Sequence, residues 1–384
     1  MSRKKGNGEG TIYKIMKNGK AYYRAQITIG LDINGNPKRK SFSGYVKSDV
    51  AKRMREAQLQ VDRGLNILDS EIPFGDFFKM WIFTYKKNTV SPATFSKYEG
   101  FYRNKIVGTP IENIKLKDLS AIKLQKYFNE SINSGSLSPN NAKQLLVRIN
   151  SCLTFALQEE YIFKNVAKSI TLPKVNSSKR TAYTKEEQEK IISYLTDDKK
   201  DIAIFLAVAT GMRLGEILAL YKSDIDFSKN KITVNKQYQN NYYIEEDLTR
   251  TRRYEITKPK TESSIRTLPV PKKAMDKISK MLNSDTELPF QSVLLFCDDF
   301  GRGLERKILP RRLKQIEKEL NIPHKGFHCI RHSYATRLFE EGVPPKTVQV
   351  LLGHSTMQPT MEIYTHVMET SEKIAEEKLN ILFA

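Results

Sequence analysis

The sequence is organised around residues 326–366, which contain Gly326-Phe-His-Cys-Ile-Arg-His-Ser-Tyr-Ala-Thr336, Leu351-Leu-Gly-His-Ser355 and Ile363-Tyr-Thr-His366. His328 and Arg331 are three residues apart, so a helix would carry both on one face. The apolar run before Gly353 predicts a second helix that ends at this glycine. His354 follows in the loop, and Tyr364 comes ten residues later in what we predict to be a short segment. This stretch therefore presents two imidazoles, a guanidinium and a phenol at the ends of predicted elements.

The charge of the chain indicates what this stretch acts on. A length of 384 residues predicts two or three domains. The net charge of +21 requires an anionic partner, and nucleic acid is the commonest one. A membrane is the rival, but the sequence has no apolar run of about 18 residues and its basic N-terminus lacks the apolar core of a signal peptide. We therefore expect a cytoplasmic protein that binds DNA and no membrane.

The three cysteines indicate neither a disulfide framework nor a metal site. Cys152, Cys297 and Cys329 lie far apart in the sequence and match no metal-ligand spacing. The simpler interpretation is that they are buried, reduced thiols.

Residues 1–70 predict a three-stranded sheet followed by a helix. The strands are expected at 11–16, 22–29 and 38–42, and turns at Asn18-Gly19 and Asn34-Gly35 connect them. Lysines and arginines outnumber acids strongly here. A three-stranded sheet can dock in a DNA groove, although an ordinary solvated sheet surface would have a similar pattern.

Residues 73–170 predict a helical domain, and residues 171–183 predict a linker without periodicity. Ser91-Pro92 and Ser138-Pro139 are typical helix starts. The third domain, 184–384, begins with a capping box formed by Thr184 and Glu187. In it we expect strands at 231–235, 254–257, 266–270 and 293–297, with residues 258–261 as a hairpin connection between the second and third.

The candidate site residues suit strand cleavage of DNA without an energy cofactor. Tyr364 can attack phosphorus and hold the strand as an ester close in energy to the broken bond. Two guanidiniums, Arg213 and Arg331, would stabilise charge on the phosphate oxygens. Lys260 can protonate the leaving 5′ oxygen. His328 can take the tyrosine proton or bind the phosphate, and His354 can donate to the phosphate. This chemistry needs no cofactor and no metal.

Together these motifs resemble the tyrosine recombinases, or phage-type integrases. The resemblance is carried by Ala-Thr-Gly-Met-Arg-Leu-Gly-Glu (209–216), Pro-Lys-Thr and Ser-Ile-Arg-Thr-Leu-Pro (259–269), His-Cys-Ile-Arg-His-Ser-Tyr-Ala-Thr (328–336), Leu-Leu-Gly-His-Ser (351–355) and Tyr-Thr-His (364–366). It implies Arg213, Lys260, His328, Arg331, His354 and Tyr364 as the six active-site positions. The spacing from His354 to Tyr364 is one residue longer than the commonest one and looks like that of conjugative-transposon integrases.

The resemblance also implies a fold and a set of partners. The expected fold is multidomain and mainly α with small β-sheets: an arm-type DNA-binding domain (1–70), a core-site DNA-binding domain (73–170), and an α+β catalytic domain (184–384). The implied reaction integrates and excises a mobile element through a 3′-phosphotyrosine and a Holliday junction. The implied partners are double-stranded DNA at core and arm sites, a homotetramer formed by exchange of a C-terminal helix over 369–383, and an excisionase or DNA-bending protein.

Three other functions compete with this interpretation. A type IB topoisomerase-like enzyme would share most of the site residues but would not need the N-terminal sheet domain. A non-catalytic DNA-binding regulator could keep the fold, although the intact site residues argue against it. A metal-dependent transposase needs carboxylates around two metals. Here Asp224, Asp226, Asp298 and Asp299 fall at predicted turns, where we expect them to act as caps.

Overall fold

The computed structural model of the chain describes residues 11–31, 37–62, 71–174, 182–259, 261–285 and 292–383. The chain divides into two compact units. The first contains residues 1–176 together with 242–250, and the second contains residues 177–241 and 251–384. The fold confirms the predicted class, which is mainly helical with small antiparallel sheets.

The first unit begins with a three-stranded antiparallel sheet of β1 (Thr11–Lys17), β2 (Lys20–Leu31) and β3 (Pro37–Gly44), in that order. Asn18 and Gly19 both have positive φ, as a type I′ turn requires. The second predicted turn, at 34–35, lies outside the described residues. Helix α1 (Lys47–Asp62) covers one sheet face, where Ile27 and Ile29 pack with Ala57.

Four helices form the rest of this unit: α2 (Phe74–Trp81), α3 (Pro92–Lys105), α4 (Ala121–Asn133) and α5 (Pro139–Gln158). Both predicted Ser-Pro starts are confirmed, and the Ser138 hydroxyl accepts a hydrogen bond from the Asn141 N–H. Aromatic side chains such as Phe74, Phe78 and Trp81 are fully buried between the helices. The aromatic residues that recur at helical spacing in the sequence thus form the core of these helices.

Residues 242–250 complete the core of the first unit from a distant part of the sequence. Ile244 is 1% exposed and belongs to the same apolar cluster as the helices. Arg250 lies 3.3 Å from the fully buried carboxylate of Glu99, which also pairs with Arg103. Lys87 forms an ion pair with Glu245 at 2.6 Å. The segment is therefore anchored by apolar contacts, to which Tyr242 and Leu248 also contribute, and by two ion pairs.

The second unit surrounds a large apolar cluster with helices and short strands. Its first helices are α6 (Lys185–Tyr194), α7 (Lys199–Thr210) and α8 (Leu214–Ile217). Strands β4 (Ile225–Asp226), β5 (Lys231–Val234) and β8 (Arg266–Pro269) form one sheet. Strands β6 (Gln237–Ile244) and β7 (Arg250–Thr257) form a hairpin, of which residues 242–250 belong to the first unit. The later helices are α9 (Lys272–Asp285), α10 (Ile308–Glu319), α11 (Phe327–Glu340), α12 (Pro345–Leu352) and α13 (Gln358–Leu382).

Several local predictions in this unit are confirmed. Thr184 and Glu187 form the capping box of α6. Helix α12 ends at Gly353, which has a φ of 63°. Cys297 and Cys329 are buried, as is Cys152 in the first unit.

No helix in the described ranges has an apolar stretch long enough to traverse a bilayer.

Three predictions are wrong. Residues 293–297 are not a strand, because Leu294 and Cys297 form only isolated bridges to Tyr221 and Gly303. Residues 258–261 do not join paired strands, since β7 pairs with β6 whereas β8 pairs with β5. The C-terminal helix does not begin at 369, because α13 starts at Gln358 and already contains Tyr364.

Candidate active site

Two of the predicted arginines meet at the C-terminal end of α12. Arg331 donates from Nη1 to the Gly211 carbonyl at 3.0 Å and from Nη2 to the Leu352 carbonyl. Arg213 donates to the same Leu352 carbonyl at 3.3 Å and to the Gly353 carbonyl at 3.0 Å. The final carbonyls of a helix carry partial negative charge, which favours cations there. The end of α12 therefore holds two guanidiniums side by side.

A buried carboxylate fixes one of these guanidiniums. Glu216 accepts from Arg213 Nη1 at 2.8 Å and from the Arg213 backbone N–H at 2.8 Å. Its two oxygens also accept from Nη1 and Nη2 of Arg266, at 3.1 and 2.9 Å. Arg266 additionally donates to the Leu351 carbonyl at 2.7 Å. Two arginines, Arg213 and Arg266, thus share one carboxylate, and together with Arg331 they donate to the carbonyls at the end of α12.

The protonation of this cluster follows from burial and charge. Burial by itself would raise the pKa of Glu216, but hydrogen bonds and charge from Arg266 and Arg213 bring the pKa below its ordinary 4.5. Burial, and then repulsion from Arg213, lower the pKa of Arg331 well below its ordinary value. Among the described residues, three cations therefore face one anion. This excess of positive charge suits a phosphodiester.

Gly211 permits the close packing that Arg331 needs. It ends α7 with a φ of 62°, a region that L-residues with side chains rarely adopt. A Cβ at this position would lie 2.4 Å from Cδ1 of Tyr334. The backbone can therefore turn and offer its carbonyl to Arg331 only without a side chain at 211.

His354 follows α12 directly and is half-buried beside the arginines. Its Nδ1 lies 2.8 Å from Oγ1 of Thr360, and its backbone N–H donates to the Gln349 carbonyl at 3.2 Å. Burial, followed by the charges of Arg331 and Arg213, lowers the pKa of His354 from 6.5 to about 3. The imidazole is therefore neutral near pH 7 and carries one N–H.

The remaining predicted residues are placed differently. His328 is exposed in the first turn of α11, with its ring 4.9 Å from that of His332. Tyr364 is half-buried on α13, where its ring packs edge-on against Phe339 at 5.2 Å. Lys260 lies outside the described residues. The structure thus brings Arg213, Arg331 and His354 together, and it orients the Tyr364 ring by an aromatic contact.

Sequence reasoning missed two of the supporting side chains. Arg266 shares the buried face of β8 with Leu268, and an arginine at an inward strand position indicates a buried ion pair. Thr360 lies four residues before Tyr364, so both occupy one helix face once α13 is known to begin at 358.

Three of the four aspartates considered as metal ligands accept hydrogen bonds from backbone N–H groups of nearby residues. Asp224 accepts the Tyr221 N–H at 2.8 Å, Asp226 the Lys229 N–H at 3.0 Å, and Asp298 the Arg302 N–H at 2.9 Å. These contacts cap turns, as the sequence predicted.

Known proteins match both units. The phage integrase family matches residues 181–371, and the N-terminal SAM-like domain of phage integrases matches residues 73–132. A protein named tyrosine recombinase XerC-like from Caldanaerobacter subterraneus subsp. tengcongensis is 35% identical over 96% of this chain and 98% of its own length. The chain belongs to the phage integrase family of tyrosine recombinases. It is therefore a tyrosine-type site-specific recombinase, an enzyme that acts on DNA.

Solved structures of integrases share the fold of this recombinase. The Tn1549 transposon integrase in complex with a circular intermediate DNA has a TM-score of 0.65 at 20% identity, covering 76% of this chain and 94% of that one. The lambda integrase tetramer bound to a Holliday junction has a TM-score of 0.57 at 18% identity, covering 89% and 95%. The family match and the relative named tyrosine recombinase XerC-like do not favour a topoisomerase or a regulator.

Proposed function

We propose that this recombinase integrates and excises a mobile element by forming a 3′-phosphotyrosine at Tyr364. The observation that carries the proposal is the pair of guanidiniums, Arg213 and Arg331, that converge on the Leu352 carbonyl beside neutral His354. A guanidinium has five N–H donors. The contacts described above use three donors of Arg213 and two of Arg331, so each retains donors for a phosphate.

Each residue then has a role in the transfer. The Tyr364 oxygen attacks phosphorus, and the bond to the 5′ oxygen breaks. Arg213 and Arg331 stabilise the charge that develops on the non-bridging oxygens. His354 donates a hydrogen bond to the phosphate, His328 takes the tyrosine proton or binds the phosphate, and Lys260 delivers a proton to the leaving 5′ oxygen. Rejoining reverses these steps with a new 5′ hydroxyl.

We assign the first domain, 1–70, to arm-type sites and the second, 73–170, to core sites. Arg24 and Gln26 alternate with buried Ala25 and Ile27, so they point away from α1. Arg39 pairs with Thr28 on the same open face. These exposed side chains can reach base edges or phosphates in a groove. Replacing Arg24 and Arg39 by Ala should weaken arm-site binding and reduce its salt dependence in gel-shift titrations, whereas Lys14→Ala on the other face should change arm-site affinity much less.

We further propose that four copies assemble on two duplexes and exchange strands through a Holliday junction. The end of α13 supports this assembly, because Leu382 and Phe383 are 75% and 84% exposed at the end of a charged helix. Burying such side chains on a neighbouring copy would stabilise the assembly. An excisionase or DNA-bending protein would set the direction, and the bacterial cytoplasm is the expected compartment.

A suicide-substrate assay tests the catalytic assignment. Nicked DNA carrying the element end is incubated with wild type, Tyr364→Phe or the matched control Tyr85→Phe, with a metal chelator present. Tyr85 is exposed and lies in the first unit, whereas all the site motifs lie in the second. We expect a covalent adduct with wild type and with the control only. An adduct with Tyr364→Phe would refute the nucleophile, and no adduct on DNA that wild type binds would refute strand cleavage by this site.

A further inference from the structure

Thr360 is a buried hydroxyl in the first turns of the helix that carries Tyr364. Its side chain is fully buried, and its Oγ1 lies 2.8 Å from Nδ1 of His354. Its backbone N–H donates a hydrogen bond to the Met357 carbonyl. A buried hydroxyl costs free energy unless it is hydrogen-bonded. The imidazole is its hydrogen-bond partner within the described part of the chain, so the two groups form a matched pair.

The state of His354 makes the direction of this hydrogen bond important. A neutral imidazole carries one proton, on either Nδ1 or Nε2, and the other nitrogen only accepts. Neutrality follows from the half-buried position of the ring next to two guanidiniums and agrees with its lowered pKa. With the proton on Nδ1, Nε2 would turn a lone pair toward a phosphate oxygen. With the proton on Nε2, it would donate to that oxygen.

We propose that Thr360 is a positioning residue whose hydroxyl donates to Nδ1 of His354 and thereby fixes the tautomer in which Nε2 donates to the scissile phosphate. The inference rests on the proposed function, because it assumes that His354 binds the phosphate. A partner on one ring nitrogen sets which form the other nitrogen presents. Thr360 would therefore act through His354 without touching DNA.

The backbone around His354 is fixed independently of this contact. The His354 N–H donates to the Gln349 carbonyl, and the Gln349 side chain donates to the His354 carbonyl at 3.1 Å. Gln349 lies on α12, whereas Thr360 lies on α13. The loop is thus held by one helix and the ring by another. Since Thr360 and Tyr364 are one turn apart on α13, a shift of the nucleophile would also change the hydrogen bond to His354.

Two variants of Thr360 isolate the hydroxyl. Thr360→Val keeps the shape and removes the hydroxyl, whereas Thr360→Ser keeps the hydroxyl. We expect single-turnover cleavage of the suicide substrate to slow about 10- to 100-fold in Thr360→Val, by analogy with the loss of a hydrogen-bond partner from a metal-ligating histidine, and to remain within about threefold in Thr360→Ser. DNA affinity should stay the same in both. In a His354→Ala background, Thr360→Val should cause no further loss.

Nitrogen NMR of the free full-length protein tests the tautomer without any reaction. The chain has only five histidines, so the His354 ring signals can be assigned from the His354→Ala variant. We expect a protonated Nε2 and an unprotonated Nδ1 in wild type, and a shift toward the other tautomer in Thr360→Val. A protonated Nδ1 in wild type would overturn the proposal, as would full cleavage activity of Thr360→Val. If wild type forms no adduct, strand cleavage by this site fails, whereas the spectrum still decides the role of Thr360.

Discussion

Replacing Arg266 by Ala should destabilise the second unit more than any surface ion pair could. The Arg266 and Glu216 side chains are 4% and 3% exposed and make two hydrogen bonds with each other. Removing one partner of a buried ion pair costs about 3–5 kcal/mol, because the other charge stays buried without full compensation. Arg213 remains as a partner for Glu216, but the Leu351 carbonyl also loses its donor. We therefore expect a loss of about 3–5 kcal/mol.

Thermal unfolding measures this loss directly. For a unit of about 200 residues, 1 kcal/mol shifts Tm by about 2–4 °C, so the expected decrease is about 6–20 °C. The matched control is Arg302→Ala, which breaks an ion pair with Asp298 in which the arginine is 72% exposed. Such a surface pair contributes about 0–1 kcal/mol. Equal decreases in Tm for the two variants would refute the view that the buried pair of Arg266 and Glu216 stabilises the second unit more than an exposed ion pair does.

Three further substitutions have expected outcomes. Glu71→Gln should lower the free energy of unfolding by about 1 kcal/mol above pH 4.5. Burial raises the pKa of Glu71, but its lysine partners bring the pKa down to about 2. In denaturant titrations the stabilisation by Glu71 should therefore disappear as the pH falls from 4.5 toward 2. Ile244→Ala should cost about 2–5 kcal/mol in unfolding of the first unit, whereas Ile122→Ala, at an 82% exposed position, should cost almost nothing. Gly211→Ala should lower Tm and cleavage rate far more than Gly342→Ala, because position 342 also has a positive φ, of 75°, but an added Cβ there would meet open space.

Local sequence patterns predicted most of the helices and their ends. The capping box at Thr184, the glycine stop at Gly353 and the Ser-Pro starts depend on only a few neighbouring residues, so they can be recognised without the fold. Strand pairing in the second unit depends on distant residues. The apolar run 293–297 has strand-like composition, but its backbone partners form isolated bridges. The sequence contains no local signal that distinguishes an apolar run that forms a paired strand from one that forms only isolated bridges.

The same distinction applies to the site. Arg213, Arg331 and His354 were recognised as a set of residue types, and the structure brings them to one helix end. The pairing of Glu216 with Arg266 could not be predicted from the sequence, since the two residues are 50 positions apart. The contact of Thr360 with His354 required the start of α13, which the sequence analysis placed too late. Long-range contacts therefore account for what was missed.

The contribution of residues 242–250 to the first unit has a consequence for synthesis on the ribosome. The helices that surround Ile244 are complete once residue 158 has been made, but about 65 residues of the second unit separate residue 176 from residue 242. At about 5–20 residues per second, this gap lasts roughly 3–13 seconds. During that time Glu99 lacks Arg250 and the apolar cluster lacks Ile244. The nascent helical domain should therefore expose part of its apolar cluster and an incompletely paired carboxylate, which a chaperone can bind. It reaches its final stability only when the hairpin that contains residues 242–250 emerges.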